Sequence, residues 1–448
     1  MRRQKDRNHL QELPKLPLNV EQFSVLLNPR DYKQKLLELI KTAKRRVYMS
    51  ALYWQNDEAG KELMHALYQA KQDNPDLDVH LFVDFHRAQR GLIGAEKDLG
   101  NAEFYRQCQN EYEHPINIYG VPVKSKELLG VLHLKGFIFD DTVLFSGTSI
   151  NDIYLHQHDR YRYDRYHLIE HTELANSMVL FLQTYFVSAD AVKILTEENI
   201  ASIKELKKEV FQLKRSLANA KYQLKGNCNE QEGLSVTPLV GLGFRRNNLN
   251  QTIRSMIRLT EHKLVMLTPY FNPPPVLIRE IRRLLKQGRK ITIVIGDKTA
   301  NDFYIPPDQP FTTIGGLPYI YETNLRRFVQ SHQKFIKKGL LDVHLWHHDT
   351  NSFHLKGICS DDQLHLITGN NLNPRAWRLD LENGLLIHDK QQQLKAAFDE
   401  ELQQIMTHTK RIEHYRQLET LNDYPLQVKK LLRTIKRTGL DSIIKNII

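Results

Sequence analysis

Two short stretches of this chain carry residues suited to chemistry. The tetrapeptide His-Leu-Lys-Gly occurs at His133 and again at His354, about half a chain apart, and each copy continues to an aspartate at the same distance. The sets are His133, Lys135 and Asp140, then His354, Lys356 and Asp361, both fitting H-x-K-x4-D. Residues two apart on a strand face the same side, so each histidine is expected to project with its lysine. An imidazole beside an ammonium suits a phosphodiester: the lysine offsets phosphate charge while the histidine attacks or shuttles a proton. The aspartate can orient a histidine and stabilise an imidazolium. Each motif runs on to a glycine-led polar turn, GTSIN at 147–151 and GNNLN at 369–373. There Asn151, Asn371 and Asn373 can donate to a phosphoryl oxygen. Asp164 and Glu382 hold matching places beyond the turns (DRYHLI and ENGLLI) and are candidate orienters of a histidine. One copy of so short a motif means little; two copies with matching turns make coincidence remote.

The repeat extends to the elements that must position these residues. Residues 44–54 (KRRVYMSALYW) resemble 261–271 (EHKLVMLTPYF), each a buried strand ending in an aromatic pair, Tyr53-Trp54 or Tyr270-Phe271. Each follows a helical pattern, marked by Leu36, Leu37 and Ile40 or by Ile253, Ile257 and Leu259. A second helix (61–72; 275–287) and another strand, VHLFV or ITIVI, come next. Such alternation predicts an α/β fold of two α/β/α sandwich lobes, each with a mainly parallel sheet, packed as a pseudo-twofold pair. Ile200, Ile203, Leu206, Val210, Leu213 and Leu217 predict one long amphipathic linking helix, ended by Gly226, Asn227 and Asn229. The lobes are accordingly expected to be residues 1–230 and 231–448.

A chain of 448 residues suits two domains. No apolar run nears the roughly 20 residues that span a bilayer, and the charged N-terminus lacks the apolar stretch of a secretory signal. Cys108, Cys228 and Cys359 are scattered and odd in number. They argue for a reducing compartment, hence a cytoplasmic location. A net charge of +11 and a pI near 9.3 call for an anionic partner: nucleic acid, a nucleotide-bearing substrate or a membrane surface.

The paired motif resembles that of the phospholipase D superfamily, and the likeness spans most of the chain. It implies two phospholipase D-like lobes whose motifs share one pocket, with a two-step displacement that uses no metal and no cofactor. One histidine attacks phosphorus; the other protonates the leaving group and then activates the acceptor. The superfamily's usual order implies His133 as nucleophile and His354 as general acid and base. The segment 146–170 (SGTSINDIYLHQHDRYRYDRYHLIE) is similar to that of the bacterial phosphatidylserine synthases of this superfamily. That resemblance implies CDP-diacylglycerol and L-serine as substrates, phosphatidylserine and CMP as products, and Tyr163 and Arg165 in the substrate pocket. The turns depart from the commonest G-S-x-N form at Thr148 and Asn370. The alternating bases and aromatics of 160–166 also resemble a nucleic-acid groove, and His156 with His158 has metal-pair spacing but no further ligands. Neither a nucleic-acid substrate nor a metal is expected. The alternatives are a cardiolipin synthase-type transferase or a phosphodiesterase or nuclease of the same superfamily; two intact motifs argue against a non-catalytic scaffold.

A lipid substrate needs a membrane-facing surface, and the expected site of action is the inner face of the cell membrane. Val428, Leu431, Leu432 and Ile435 form one face of a basic C-terminal helix, followed by the apolar set Leu440, Ile443, Ile444, Ile447 and Ile448. Such a helix either lies in an anionic interface or docks on the core. The apolar, Pro/Gly-rich stretch 303–321 (FYIPPDQPFTTIGGLPYIY) is expected to be a long loop shaping an acyl-chain entrance.

Overall fold

The computed structural model describes residues 2–90, 100–225 and 233–438. Cys228, the helix-ending residues 226–229, the expected boundary at 230 and the apolar set 440–448 lie outside the described residues.

Each half builds a sheet on three parallel strands: Arg46–Ser50, Asp78–Asp84 and Asn117–Val121 in the first, Lys263–Thr268, Lys290–Gly296 and Leu341–Trp346 in the second. Their β-branched and aromatic residues suit a sheet buried on both faces. Matching helices precede the first strand of each trio. Pro29–Thr42 begins where the Asn28 side chain accepts from the Arg30 and Asp31 amides, and Asn248–Leu259 where Asn247 accepts from the Asn250 amide.

Beyond the trio the glycine of HLKG turns the chain, with φ of 108° at Gly136 and 153° at Gly357. A side chain would be strained at either position. The following strands, Phe137–Phe139 with Thr142–Ser146 and Gly357–Ser360 with Leu364–Thr368, are antiparallel hairpins. The two α/β/α lobes are therefore present as expected, but their sheets are mixed rather than mainly parallel, because so short a turn can join only antiparallel strands. Asp140 and Asp361 sit at the hairpin tips. The Asp140 carboxylate accepts from the amides of Lys44, Arg45 and Arg46 at 2.8–3.1 Å, and Asp361 from Glu261, His262 and Lys263 at 2.7–2.9 Å. Each pins its hairpin to the start of the first strand.

The lobes exchange pieces. Leu132–His133, from the first half, pairs in parallel with Leu381–His388 of the second sheet. Arg162–Tyr163 pairs in parallel with Ser352–Phe353. The N-terminal helix Arg2–Glu12 packs on Asn248–Leu259, and Leu16–Pro17 joins Ser235–Leu242. Residues 2–17 thus pack with the second lobe, which departs from the expected division at 230. The linking helix is also shorter than its periodicity suggests. It spans Lys207–Leu217, preceded by turns at 203–206 where the Ser202 amide and hydroxyl both donate to Glu205 Oε2, with Ile200 outside.

A buried clamp ties the second lobe's helix Lys395–Met406 to the first sheet. Glu401 accepts from Arg165 Nε at 2.8 Å and Nη2 at 2.5 Å, and lies 3.1 Å from His167. Burial pushes the carboxyl up, but Arg165 and then His167 overcome this and hold it far below the usual range. Removing one partner of such a pair leaves an uncompensated charge. Glu401→Gln is expected to lower unfolding free energy by about 3–5 kcal/mol, read by urea denaturation at pH 7. The parent should lose the same stability on acidification, because a lowered folded-state pKa makes the contribution vanish as pH falls.

Candidate active site

The exchanged strands bring both motifs to one place and set each histidine against the other lobe's carboxylate. The parallel register puts Glu382 opposite His133, and His133 Nδ1 lies 2.9 and 3.0 Å from its two oxygens. In the reciprocal pairing the His354 amide donates to the Tyr163 carbonyl at 2.8 Å, which sets Asp164 beside the second motif. Asp164 Oδ2 accepts from His354 Nδ1 at 2.8 Å and from Lys356 Nζ at 2.9 Å; Lys356 Nζ also packs against His354 Nδ1. Lys135 donates to the Thr148 carbonyl at 2.9 Å, and Asn383 of the second lobe brackets its backbone with two hydrogen bonds of 2.8 Å. Gly369 makes room for this crossing, since a Cβ there would lie 2.6 Å from Lys135 Cγ. His133, Lys135, Asp164, His354, Lys356 and Glu382 are each 7% exposed or less.

With both Nδ1 atoms engaged, Nε2 is the nitrogen of each imidazole that can meet a phosphorus or a hydroxyl. The two pairs differ electrically. Burial, then Lys135 and Lys356, push His133 well below the ordinary histidine value of 6.5. Burial and neighbouring Asp380 push its partner Glu382 well up. His133 is therefore a neutral imidazole. Burial also raises Asp164, but Lys356 and then His354 reverse this and hold it at about 2. Burial and Lys356 bring His354 down to about 4, against the pull of Asp164 and Asp302. Lys135 falls to about 7 through burial and the charge of Lys356. Cations crowded this closely describe a site shaped for phosphate.

Several expected residues stand elsewhere. Asp140 and Asp361, the hairpin clamps, touch neither histidine; the orienting role falls to Asp164 and Glu382. Asn373 caps the helix Pro374–Arg378 through the Ala376 amide, and Asn151 accepts from the Tyr154 amide while its Nδ2 reaches Tyr53 Oη at 3.4 Å. The Asn371 carbonyl accepts from Thr268. The buried amide nitrogen of this turn that lacks a hydrogen-bond partner among the described residues is Asn370 Nδ2, at the position where the turn departs from its usual form. Tyr163 packs on Trp346 and donates to the Leu27 carbonyl, and Arg165 is held by Glu401, so neither lines the histidines. His156 packs on Tyr161, while His158 faces Glu58 and Asp152. The C-terminal helix Leu426–Arg437 docks, burying Val428 with Tyr319 and Tyr424. The stretch 303–321 is only partly loop: a helix begins at Leu317, and Tyr304 and Phe311 support the docked C-terminal helix.

Other residues of the site were not anticipated. Tyr154 Oη lies 3.0 Å from His354 Nδ1, with the Arg162 guanidinium over its ring at 4.7 Å. Arg162 Nε pairs with Asp302 Oδ1 at 2.9 Å, and Asp302 Oδ2 accepts from Tyr270 Oη at 2.7 Å and stands 4.0 Å from His354 Nε2. Tyr53 and Tyr270, the repeat-related aromatics, flank this group, and that equivalence was the available signal. Asp302 follows a strand at its carboxyl end, where open α/β sheets gather ligands.

The comparisons agree with this geometry. The family described as "Cardiolipin synthase, PLD-like domain" matches residues 253–406. A CDP-diacylglycerol–serine O-phosphatidyltransferase of Haemophilus influenzae is 49% identical over 444 residues, covering 98% of both chains. Its Escherichia coli counterpart is 47% identical over 450 residues, covering 100% of this chain and 99% of the other. The crystal structure of a Haemophilus influenzae phosphatidylserine synthase superposes with a TM-score of 0.97 at 48% identity, covering 100% of both chains.

If the cross-lobe carboxylate positions His133, Glu382→Gln should fold normally yet turn over about 10²–10⁴-fold more slowly. Circular dichroism and steady-state kinetics together check this; a rate within about threefold of the parent would contradict it.

Proposed function

The chain belongs to the CDP-diacylglycerol–serine O-phosphatidyltransferase family of the phospholipase D superfamily, and on that footing we propose how its residues divide the reaction. The enzyme takes CDP-diacylglycerol and L-serine to phosphatidylserine and CMP. Lys135 and Lys356 hold the non-bridging oxygens of the lipid-bearing phosphate, and the unfilled amide of Asn370 donates to one of them. His133 Nε2 attacks phosphorus, a P–N bond forms, and the P–O bond to CMP breaks as His354 gives its proton to the departing oxygen. The serine hydroxyl then passes its proton to His354 and attacks phosphorus, releasing His133.

The observation that carries this division is the asymmetry of the two pairs. An ionised Asp164 stabilises an imidazolium at His354, whereas burial, Lys135 and Lys356 keep His133 neutral and able to attack through Nε2 while its Nδ1–H donates to Glu382. A bound phosphate anion offsets Lys356, the neighbour that pushes His354 down most after burial, so the acid arrives charged with its substrate.

We propose further that the protein works at an anionic membrane surface, since one substrate is a lipid. Among the described residues no helix is long and apolar enough to cross a membrane. Leu128, Leu129 and Phe244 are 46–61% exposed, and nearby Lys126, Arg245 and Arg246 are exposed as well. Both segments meet the helix Pro374–Arg378 that follows the second motif's turn: Arg375 donates to the Glu127 carbonyl and Arg378 lies over the Phe244 ring. Exposed apolar residues among cations suit an anionic interface.

In mixed micelles of CDP-diacylglycerol, CMP release should rise on adding L-serine and be matched by phosphatidylserine. Release without a serine product would contradict the transferase reading. Replacing Leu128 and Leu129 together by Ser should weaken binding to anionic liposomes by about tenfold while activity on detergent-dispersed substrate persists; unchanged liposome binding would move the contact elsewhere.

A further inference from the structure

Asp302 beside His354 and Arg87 beside Tyr53 are buried charges that the proposed chemistry does not use. Asp302 sits 4.0 Å from His354 Nε2, too far for a hydrogen bond, with its Oδ2 turned toward that nitrogen and toward Tyr270. It is buried and paired with Arg162, yet a buried ion pair seldom stabilises a fold more than apolar residues of the same size would. Arg87 is the second charge. The residue is 8% exposed, its guanidinium lies 4.8 Å over the Tyr53 ring, and Nε and Nη1 find no hydrogen-bond acceptor among the described residues. Tyr53 joins the two, since its hydroxyl sits beside Arg162. Glu127 and Asp84 offset part of the Arg87 charge, but with Nε and Nη1 unbonded a buried guanidinium so placed still gains from an arriving anion.

We propose that Asp302 and Arg87 recognise the acceptor as a zwitterion: Asp302 takes the ammonium and Arg87 the carboxylate of an amino acid whose hydroxyl meets His354. The inference rests on the serine-transferase reading and names the side chains that would select its acceptor. The geometry supports it. Asp302 stands 4.0 Å from the His354 nitrogen that takes the serine proton, within reach of an ammonium borne on the carbon next to the hydroxyl-bearing one. Asp302 is ionised and so able to hold a cation, because Arg162 and then His354 bring its carboxyl below the ordinary value although burial raises it. Water carries neither charge, so it gains nothing from the pair. A site built around two charged contacts rejects analogues lacking either one by far more than an apolar pocket can.

The test is a competition in which serine, 3-hydroxypropanoate (no ammonium) and ethanolamine (no carboxylate) share one reaction with CDP-diacylglycerol, and lipid products are quantified by mass spectrometry. Product ratios do not depend on the absolute rate, so slow variants remain informative. The parent should favour serine over each analogue by about 100-fold or more. Asp302→Asn should reduce the serine-to-hydroxypropanoate ratio at least about tenfold, and Arg87→Gln the serine-to-ethanolamine ratio by a similar factor. A parent that uses either analogue within a few-fold of serine, or variants that keep the parent's ratios, would overturn the proposal. No phosphatidylserine from the parent would instead remove the serine reading beneath it.

Discussion

Glu382 and His133 come from opposite lobes, as do Asp164 and His354, and among the described residues neither histidine has a carboxylate at Nδ1 from its own half. An imidazole without that partner is free to rotate and to change tautomer, so the reacting nitrogen would be undefined. The site therefore exists only when the lobes are docked in register. Much else follows from this demand. Two short parallel pairings cross between the halves, Asn383 grips the Lys135 backbone, Gly369 yields space to the Lys135 side chain, and Glu401 holds Arg165. The N-terminal helix adds to the same joint by packing on the second lobe.

Docking two near-equivalent motifs would give two equivalent histidines if the surroundings were symmetric. They are not. Asp164 bonds an ammonium as well as His354, while Glu382 turns both oxygens to His133 Nδ1 and has Asp380 as a neighbouring acid, so the two imidazoles sit in unequal surroundings. A displacement through a covalent intermediate needs one free-base nucleophile and one proton carrier, and different environments around the same residue type are how a protein separates those roles. In the proposed division, the duplicated chain supplies the parts and the unequal neighbours distribute the work.

The motifs, the duplication and both orienting carboxylates were legible in the sequence because they rest on residue type and spacing. The pairing of each carboxylate with the opposite lobe was not, since it depends on Leu132–His133 joining the second sheet and on Arg162–Tyr163 pairing with Ser352–Phe353 in a small sheet of their own. The motif aspartates mislead for a similar reason: a strand period places Asp140 near His133 in sequence, but the positive φ of Gly136 and the hairpin carry it to the far end of the sheet. Arg165 and Tyr163 carry the charge and aromaticity of a substrate pocket, yet local pattern cannot tell a ligand's partner from a structural one such as Glu401. Asp302 and Arg87 belong to no motif at all; only their burial and surroundings single them out.

The central claim is that His133, oriented by Glu382, is the nucleophile that attacks phosphorus. Rapid quenching of the enzyme with CDP-diacylglycerol in the absence of serine, at alkaline pH where phosphohistidine survives, followed by peptide mass spectrometry, would locate the adduct. The predicted result is a phosphatidyl group on the peptide carrying His133 and none on that carrying His354. An adduct at His354, or CMP release with no covalent adduct at either histidine, would contradict it.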